Sequence, residues 1–427
     1  MQNLLQYSND LIRAGYHFAA VCVLDRAADT AIKAHLMCVC ALALKDNELL
    51  CKYVQQCTSA PLKSLCARVA DREAHLRMAR EMQDAVAHAA PLVETLRPPI
   101  GVLIPAGGAR LLTQLIANLT SLRNTGSTLP VTVVHACELS AQEEHDLSSQ
   151  FDVKIVDVTL LMPAGEWRGF QIKLAALAIS QYQITILADA DILWVRDPSC
   201  IVREMQDAPG ARMLLFSDFW HFHEKPHNRT AATAWLYDYY GLVATGNEVE
   251  SGVVVTEVNS ALRAAMRFFA LNYKYYFGIT FGDKDLFRIA AAAAGLPVLQ
   301  MPVPRLLCFE EESYDHLVGH SMLHTNMEGE WSHIHCTLHP MTPHRAQEVP
   351  YPTKMCDGDH VQFIVHNRSE TVGCKPRHAS GSRADVLVLR TLFGAAQAAV
   401  TQALSTFTWL SSSNSESSSY IQASLTE

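Results

Sequence analysis

The rhythm of apolar and polar positions changes near residue 97. Before it, residues 1–96 are almost free of Gly and Pro, rich in Ala, Leu and charged side chains, and apolar at helical spacing. That pattern predicts three or four amphipathic helices, an all-α N-terminal module suited to packing or to binding a protein partner. Arg97-Pro98-Pro99 ends it sharply. From Ile100 onward, short apolar runs of strand length alternate with helical segments. Strands are predicted at Ile100–Ile104, Val131–His135, Val153–Val158 and Ile184–Leu187. Between them lie helices running to Leu122, over Ala141–Gln150, and around Lys173. Strands alternating with helices predict a mostly parallel sheet covered on both faces, an α/β domain spanning residues 97–350. Ala211–Ser217 and Gly252–Glu257 read as further strands, and Phe281–Ala294 reads as a helix. Periodicity fades from about residue 341. Residues 351–427 are expected to form a C-terminal extension with one helix in the 386–410 segment and a disordered Ser-rich tail from Ser411.

Composition narrows the possibilities. The 427 residues allow two or three domains, and 49% hydrophobic residues with a mean hydropathy of +0.06 describe a globular chain with a sizeable core. A net charge of −9 leaves no basic footprint for nucleic acid. Residues 392–410 are uncharged but diluted by Gln397, Gln402 and several Ser/Thr, which favours an amphipathic or buried helix over a membrane span. The start of the chain shows no basic region leading into an apolar core, so no signal peptide is expected. The 12 cysteines fit no zinc spacing. Cys308, Cys336, Cys356 and Cys374 are candidates for pairing in an oxidising compartment. Asn-x-Ser/Thr sequons begin at Asn118, Asn228 and Asn367.

The chemistry-bearing stretch is residues 168–198. A helix carrying Lys173 leads into the apolar strand Ile184–Leu187, and two acids, Asp189 and Asp191, stand where that strand ends. Ligands of open α/β sheets bind beyond the carboxyl ends of strands. Two carboxylates one residue apart at that point can hold a divalent cation, and the cation can hold a diphosphate. Asp-x-Asp alone is weak, since Asp283-Lys284-Asp285 and Asp357-Gly358-Asp359 repeat it elsewhere. The apolar flanks Ile184–Leu187 and Ile192–Val195 distinguish the first pair, because carboxylates in such surroundings need partners. A phosphatase of the haloacid-dehalogenase type also places Asp-x-Asp after a strand. Leu193 stands where that motif wants Thr or Val, and three predicted strands precede a motif that normally opens its domain. A non-catalytic glycan-binding protein is a third reading.

Several motifs in order carry a resemblance: Ile104-Pro-Ala-Gly-Gly-Ala-Arg110, Gly169-Phe-Gln-Ile-Lys173, Ile186-Leu-Ala-Asp-Ala-Asp-Ile-Leu193 with Arg196-Asp-Pro198, Glu250-Ser-Gly-Val-Val-Val255 and Phe281-Gly-Asp-Lys-Asp-Leu-Phe-Arg288. Over roughly residues 100–340 the chain resembles the fungal MNN1-type α-mannosyltransferases and, more distantly, the glycogenin-like family 8 glycosyltransferases. The resemblance implies a GT-A fold, Rossmann-like in its nucleotide half, and a retaining transferase dependent on Mn²⁺ (or Mg²⁺). It implies transfer of mannose from GDP-mannose, alternatively of a hexose from a UDP-sugar, to a glycan or glycoprotein hydroxyl. By residue, it implies that Asp189, Asp191 and His335 bind the metal, with His333 second to His335. Pro105, Ala106, Gly107, Gly108, Arg110, Lys173, Asp189 and Ala190 would contact the donor, and Lys173 would also stabilise the departing diphosphate. Asp283 would face the reacting sugar, and Glu250, Ser251 and Gly252 would line the donor sugar or acceptor. Lys284 stands where the related pattern has Gln. Family members reside in the Golgi and secretory pathway, which is the implied location. In the N-terminal module, the segment from Leu11 to Ala28 resembles one imperfect tetratricopeptide-type helical hairpin.

Overall fold

A computed structural model describes residues 36–37, 60–89, 99–163, 167, 169–222, 231–243, 246–277, 279–280, 282–310, 315–337, 352–366, 369–375, 379–380 and 382–406. The chain divides into two compact units, Met1–Asp84 and Ala85–Glu427. In the first, most of the expected helical module and its tetratricopeptide-like segment lie outside the described residues. The helix α1 (Ala60–Ala87) is described there. The Ser-rich tail likewise lies outside them.

The second unit is built on a seven-stranded sheet of order β3-β2-β1-β4-β7-β6-β8. Its strands are β1 (Ile100–Pro105), β2 (Val131–His135), β3 (Val153–Asp157), β4 (Ile184–Ala188), β6 (Met213–His221), β7 (Asn247–Glu257) and β8 (Val298–Gln300). β3, β2, β1 and β4 run parallel, as alternation with helices predicts. The helices between them are α2 (Gly108–Asn124), α3 (Ala141–Phe151) and α4 (Gln171–Ile179). α3 starts with a capping box: Ser140 accepts from the Glu143 N–H, and the Glu143 carboxylate accepts from the Ser140 N–H. β4 is buried at every position, the pattern of a strand covered on both faces. The apolar layer between sheet and helices includes Ile104, Leu115, Leu119, Ile186, Trp194 and Val255.

Beyond β4 the sheet departs from the parallel pattern. β7 lies antiparallel to both β4 and β6, and β8 returns parallel to β6. Its pairing with β6 jumps from Leu215↔Val254 to Phe216↔Glu250, so Ser251, Gly252 and Val253 bulge on that side. Such an irregularity re-aims side chains at a sheet rim.

A second, eight-stranded sheet follows the order β13-β14-β10-β9-β12-β15, with β11 attached to β10 and to β5. It comprises β5 (Ile192–Trp194), β9 (Arg305–Glu310), β10 (Leu317–Thr325), β11 (Trp331–His335), β12 (Lys354–Cys356), β13 (Gln362–His366), β14 (Ser369–Cys374) and β15 (Ala379–Ser380). The segment beyond residue 350 therefore contributes four strands where sequence reading anticipated one helix and loops. These strands are short: β12 and β14 take their register from β9 and β10, and β15 and β13 pair with them in turn, which local periodicity does not report. The anticipated helix is α6 (Arg383–Thr406). By length and hydropathy the span Ala384–Ala403 is apolar enough to cross a membrane. Leu389, Phe393, Ala396 and Val400 nevertheless form a buried stripe in one apolar cluster with Ala117 of α2, the heptad-like spacing of an amphipathic helix. Cys308, Cys356 and Cys374 meet in another apolar cluster, and Cys336 lies in the α6 cluster, so the four candidate thiols fall into two groups.

Candidate active site

β1 and β4 are parallel neighbours, so the turn after β1 and the acids after β4 share one rim of the sheet. Pro105 ends β1, and the Ala106 N–H donates to the Val134 carbonyl at 2.9 Å. Gly107 is extended, with φ −162°, and is buried. A methyl group there would overlap the Glu138 carboxylate, so Gly permits a close approach. Gly108 and Arg110 fall in the first turn of α2.

At the end of β4, the Asp189 N–H donates to the Gly252 carbonyl at 2.7 Å and the Asn118 side chain donates to the Asp189 carbonyl at 2.8 Å. Ala190 is buried. Asp189 and Asp191 keep 24% and 19% of their side-chain surface exposed, so both carboxylates remain open to solvent and ligand. β5 then pairs antiparallel with β11 in a register that sets His335 opposite Ile192 and His333 opposite Trp194. The Cys336 N–H donates to the Asp191 carbonyl at 3.0 Å and secures that end. His335 Nε2 thereby stands 3.3 Å from Asp191 Oδ1 and 3.8 Å from Asp189 Oδ2. One ligand atom from each of Asp189, Asp191 and His335 falls within 4.8 Å of the others, a separation a divalent cation can span. His333 sits one pair deeper, buried between Trp194 and Phe216 with its ring stacked on His324.

Lys173 points into the same cluster from α4. It is only 3% exposed, so it does not snorkel to the surface. Its Nζ lies 2.9 Å from Asp189, 3.0 Å from Asp283 Oδ2 and 3.1 Å from Ser251 Oγ. Ser251 Oγ in turn donates to Asp283 Oδ1 at 3.1 Å. Asp283 precedes α5 (Lys284–Ala293) at the N-cap position yet makes no cap hydrogen bond; its carboxylate is committed to Lys173 and Ser251. Lys284 ties instead to Asp218 at 3.3 Å and to Glu248, and Asp285 accepts from Tyr237. In the third acid pair, Asp357 is 54% exposed and lies 3.6 Å from Arg305.

Electrostatics follow the crowding. Burial opposes the Lys173 ammonium, but Asp189 and Asp283 outweigh it and hold the group above the usual lysine range. Burial lifts the Asp189 carboxyl to about 7 against the pull of Lys173, with Asp191 adding repulsion. Burial likewise opposes the Asp191 carboxylate, but His335 overrides it and holds that group below the ordinary range. His335, though desolvated, is held well above the usual imidazole value by Asp191 and Glu250. Four carboxyl groups, Asp189, Asp191, Asp283 and Glu250, thus face one ammonium and one imidazole. With the carboxyls ionised, the excess is negative even when His335 is protonated, the balance a divalent cation would offset.

Sequence reading missed one participant and gave two others different contacts. Asn118 looked like a glycosylation sequon, but it is fully buried and bonds both the Asp189 carbonyl and Trp194 Nε1, the latter at 2.9 Å. Ser251 was expected to line a sugar, and its hydroxyl bridges Lys173 and Asp283. Glu250 was expected to line a sugar, and its carboxylate is turned to His335 Nδ1 at 3.0 Å and the Gly252 N–H at 2.5 Å.

Residues 100–234 match a family model described as "Mannosyltransferase putative". No curated protein matches the sequence. Among solved structures, mouse xyloside xylosyltransferase 1 is similar at 15% identity and TM-score 0.34, over 47% of this chain and 84% of that one. The galactosyltransferase LgtC, in complex with donor and acceptor sugar analogues, is similar at 12% identity and TM-score 0.33, over 47% and 73%. Glucosyl-3-phosphoglycerate synthase from Mycobacterium tuberculosis, in complex with Mn²⁺, UDP-glucose and phosphoglyceric acid, is similar at 14% identity and TM-score 0.29, over 53% and 73%. The strand order and the acid-rich rim thus lie in a chain whose residues 100–234 are similar to a mannosyltransferase family.

Proposed function

We propose that the chain is a metal-dependent retaining α-mannosyltransferase that moves mannose from GDP-mannose to a glycan or glycoprotein hydroxyl. The observation that carries this reading is the joining of Lys173 and Asp189 beside Asp191 and His335 at the carboxyl rim of the parallel strands. The donor set of two carboxylates and one imidazole suits Mn²⁺ or Mg²⁺ with open positions left for oxygen ligands. When bound, the ion would supply Lewis-acid neutralisation of diphosphate charge.

The rest of the chemistry belongs to the chain. Lys173 holds a permanent positive charge at a fixed point, because Asp283 and Ser251 restrain its Nζ. A preorganised ammonium next to the diphosphate stabilises charge as the sugar departs, at little reorganisation cost. Pro105, Ala106, Gly107, Gly108, Arg110 and Ala190 are proposed to flank base and ribose at the same rim. Retention fits departure and attack on one face, which needs no strong protein nucleophile.

The sugar rests on the family match and the sequence resemblance. Titration calorimetry with GDP against UDP, with Mn²⁺ present, separates mannose transfer from the UDP-hexose alternative. A screen of nucleotide-sugars for Mn²⁺-dependent hydrolysis and transfer tests the whole proposal. Absence of turnover with every donor would favour a non-catalytic glycan-binding role. The phosphatase alternative gains no support from a motif that follows the fourth strand of its sheet in chain order. The proposed setting is the Golgi or secretory pathway, checked by fractionation of cells expressing the tagged chain.

A further inference from the structure

His335 has two nitrogen edges and the fold uses both. Nε2 faces Asp191 and Asp189, while Nδ1 lies 3.0 Å from Glu250 Oε2. We propose that Glu250, backed by His324, is a positioning residue that fixes the ring and tautomer of His335 so that its Nε2 lone pair is presented to the cation. The proposal rests on reading Asp189, Asp191 and His335 as the metal site.

An ionised carboxylate only accepts hydrogen bonds, so the nitrogen against Glu250 must carry the proton. In a neutral ring this leaves Nε2 unprotonated on the side of the two aspartates. Carboxylate–histidine–metal chains work in this way, and loss of the outer carboxylate typically weakens metal binding ~10–100-fold. Glu250 is itself immobilised. It is 4% exposed, its Oε2 accepts from the Gly252 N–H at 2.5 Å, and its Oε1 lies 3.4 Å from His324 Nε2. His324 has no exposed surface. Its ring stacks on His333 with centroids 4.7 Å apart and meets the edge of Phe216 at 5.0 Å.

Gly252 completes the arrangement. A Cβ at that position would stand 2.5 Å from His335 Nδ1, so the ring lies directly on the backbone of the β7 bulge. Glu250 comes from β7 in the first sheet. His324 and His335 come from β10 and β11 in the second. The histidine is thus gripped where the two sheets meet, and its aim depends on a strand remote from either aspartate in sequence.

The test compares the wild-type chain with Glu250→Gln, Glu250→Ala and His324→Phe, using electron paramagnetic resonance to count free Mn²⁺. Glu250→Ala is expected to weaken Mn²⁺ binding ~10–100-fold. Glu250→Gln should recover most of that loss, because the amide oxygen still accepts from Nδ1–H. His324→Phe, which keeps the stack, should weaken binding a few-fold. Imidazole-region NMR of the metal-free protein should show one exchange-protected, downfield Nδ1 proton that disappears in Glu250→Ala. A folded Glu250→Ala that binds Mn²⁺ within twofold of wild type overturns the proposal. Equal losses in Glu250→Ala and Glu250→Gln, or absence of the protected proton from wild type, also overturn it. Zinc that co-purifies with wild type and vanishes in His324→Phe would replace the carboxylate–histidine contact with a second metal centre, again overturning it. A wild type that binds no Mn²⁺ yet keeps the protected proton would sink the cation-site reading alone and support the positioning. If Glu250→Ala does not fold, the Gln and Phe variants decide.

Discussion

Replacing Lys173 with methionine removes one buried ammonium and keeps the volume of the side chain. The structure indicates what is left behind: Asp189 and Asp283, each within 3.0 Å of the missing Nζ, and a Ser251 hydroxyl that loses an acceptor role. Removing one partner from a buried ion pair costs about 3–5 kcal/mol, because the remaining charge is uncompensated. Protonation limits that cost. Asp189 already titrates at about 7 with Lys173 present, and without the ammonium its carboxyl rises further. The sign follows from linkage. In the variant a folded carboxyl lies above its unfolded value of about 3.9, so the folded state binds the extra proton and gains stability as pH falls. Wild type binds the same Asp189 proton below about pH 7, so the deficit should be largest near pH 8, shrink toward pH 7 and change little from there to pH 5. Calorimetric melting of both proteins across that range reads the effect. A loss of ~3–5 kcal/mol corresponds to a fall of several degrees in Tm for a unit of this size. A melting temperature within one degree of wild type at every pH would show that Lys173 is not held between the two acids, and the active-site geometry would be wrong.

Other expectations are independent of that one. Asp191→Ala should lower sugar transfer ~100-fold or more with an unchanged circular dichroism spectrum, and near-normal transfer would refute the metal assignment. Mn²⁺ affinity should rise between pH 6 and pH 8. His335 is held well above its usual value and Asp189 titrates at about 7, so the cation must displace protons from both; affinity flat in pH would contradict the donor set. Peptide mapping of the chain expressed through a secretory pathway should find no glycan on Asn118. Both ends of its amide are engaged, by the Asp189 carbonyl and Trp194, in a fully buried site.

Much of the fold is legible locally. The strands from Ile100, Val131, Val153 and Ile184 lie within a residue or two of their expected bounds, since each is a short apolar run between turn signals. Lys173, Asp189 and Asp191 are legible for the same reason: charged groups beside apolar runs stand out. Ser251, Asn118 and the true neighbour of Glu250 are not. Their roles arise from contacts with residues far along the chain, as between Glu250 and His335, 85 positions apart.

His335 marks the boundary between the two kinds of information. The sequence by itself determined that histidines crowd the region from His320 to His339. It also determined the α/β alternation and the acid pair at the end of a buried strand, because period and polarity are written residue by residue. Only the tertiary structure decided which histidine reaches the acids. The register of β5 against β11 puts His335 beside Asp191 and buries His333 one pair deeper. The antiparallel insertion of β7, its bulge at Ser251–Val253 and the turn of Asp283 away from its helix cap were decided there too. Strand register depends on free energies of long-range pairing and of burying charge in company, and neither leaves a local period to read.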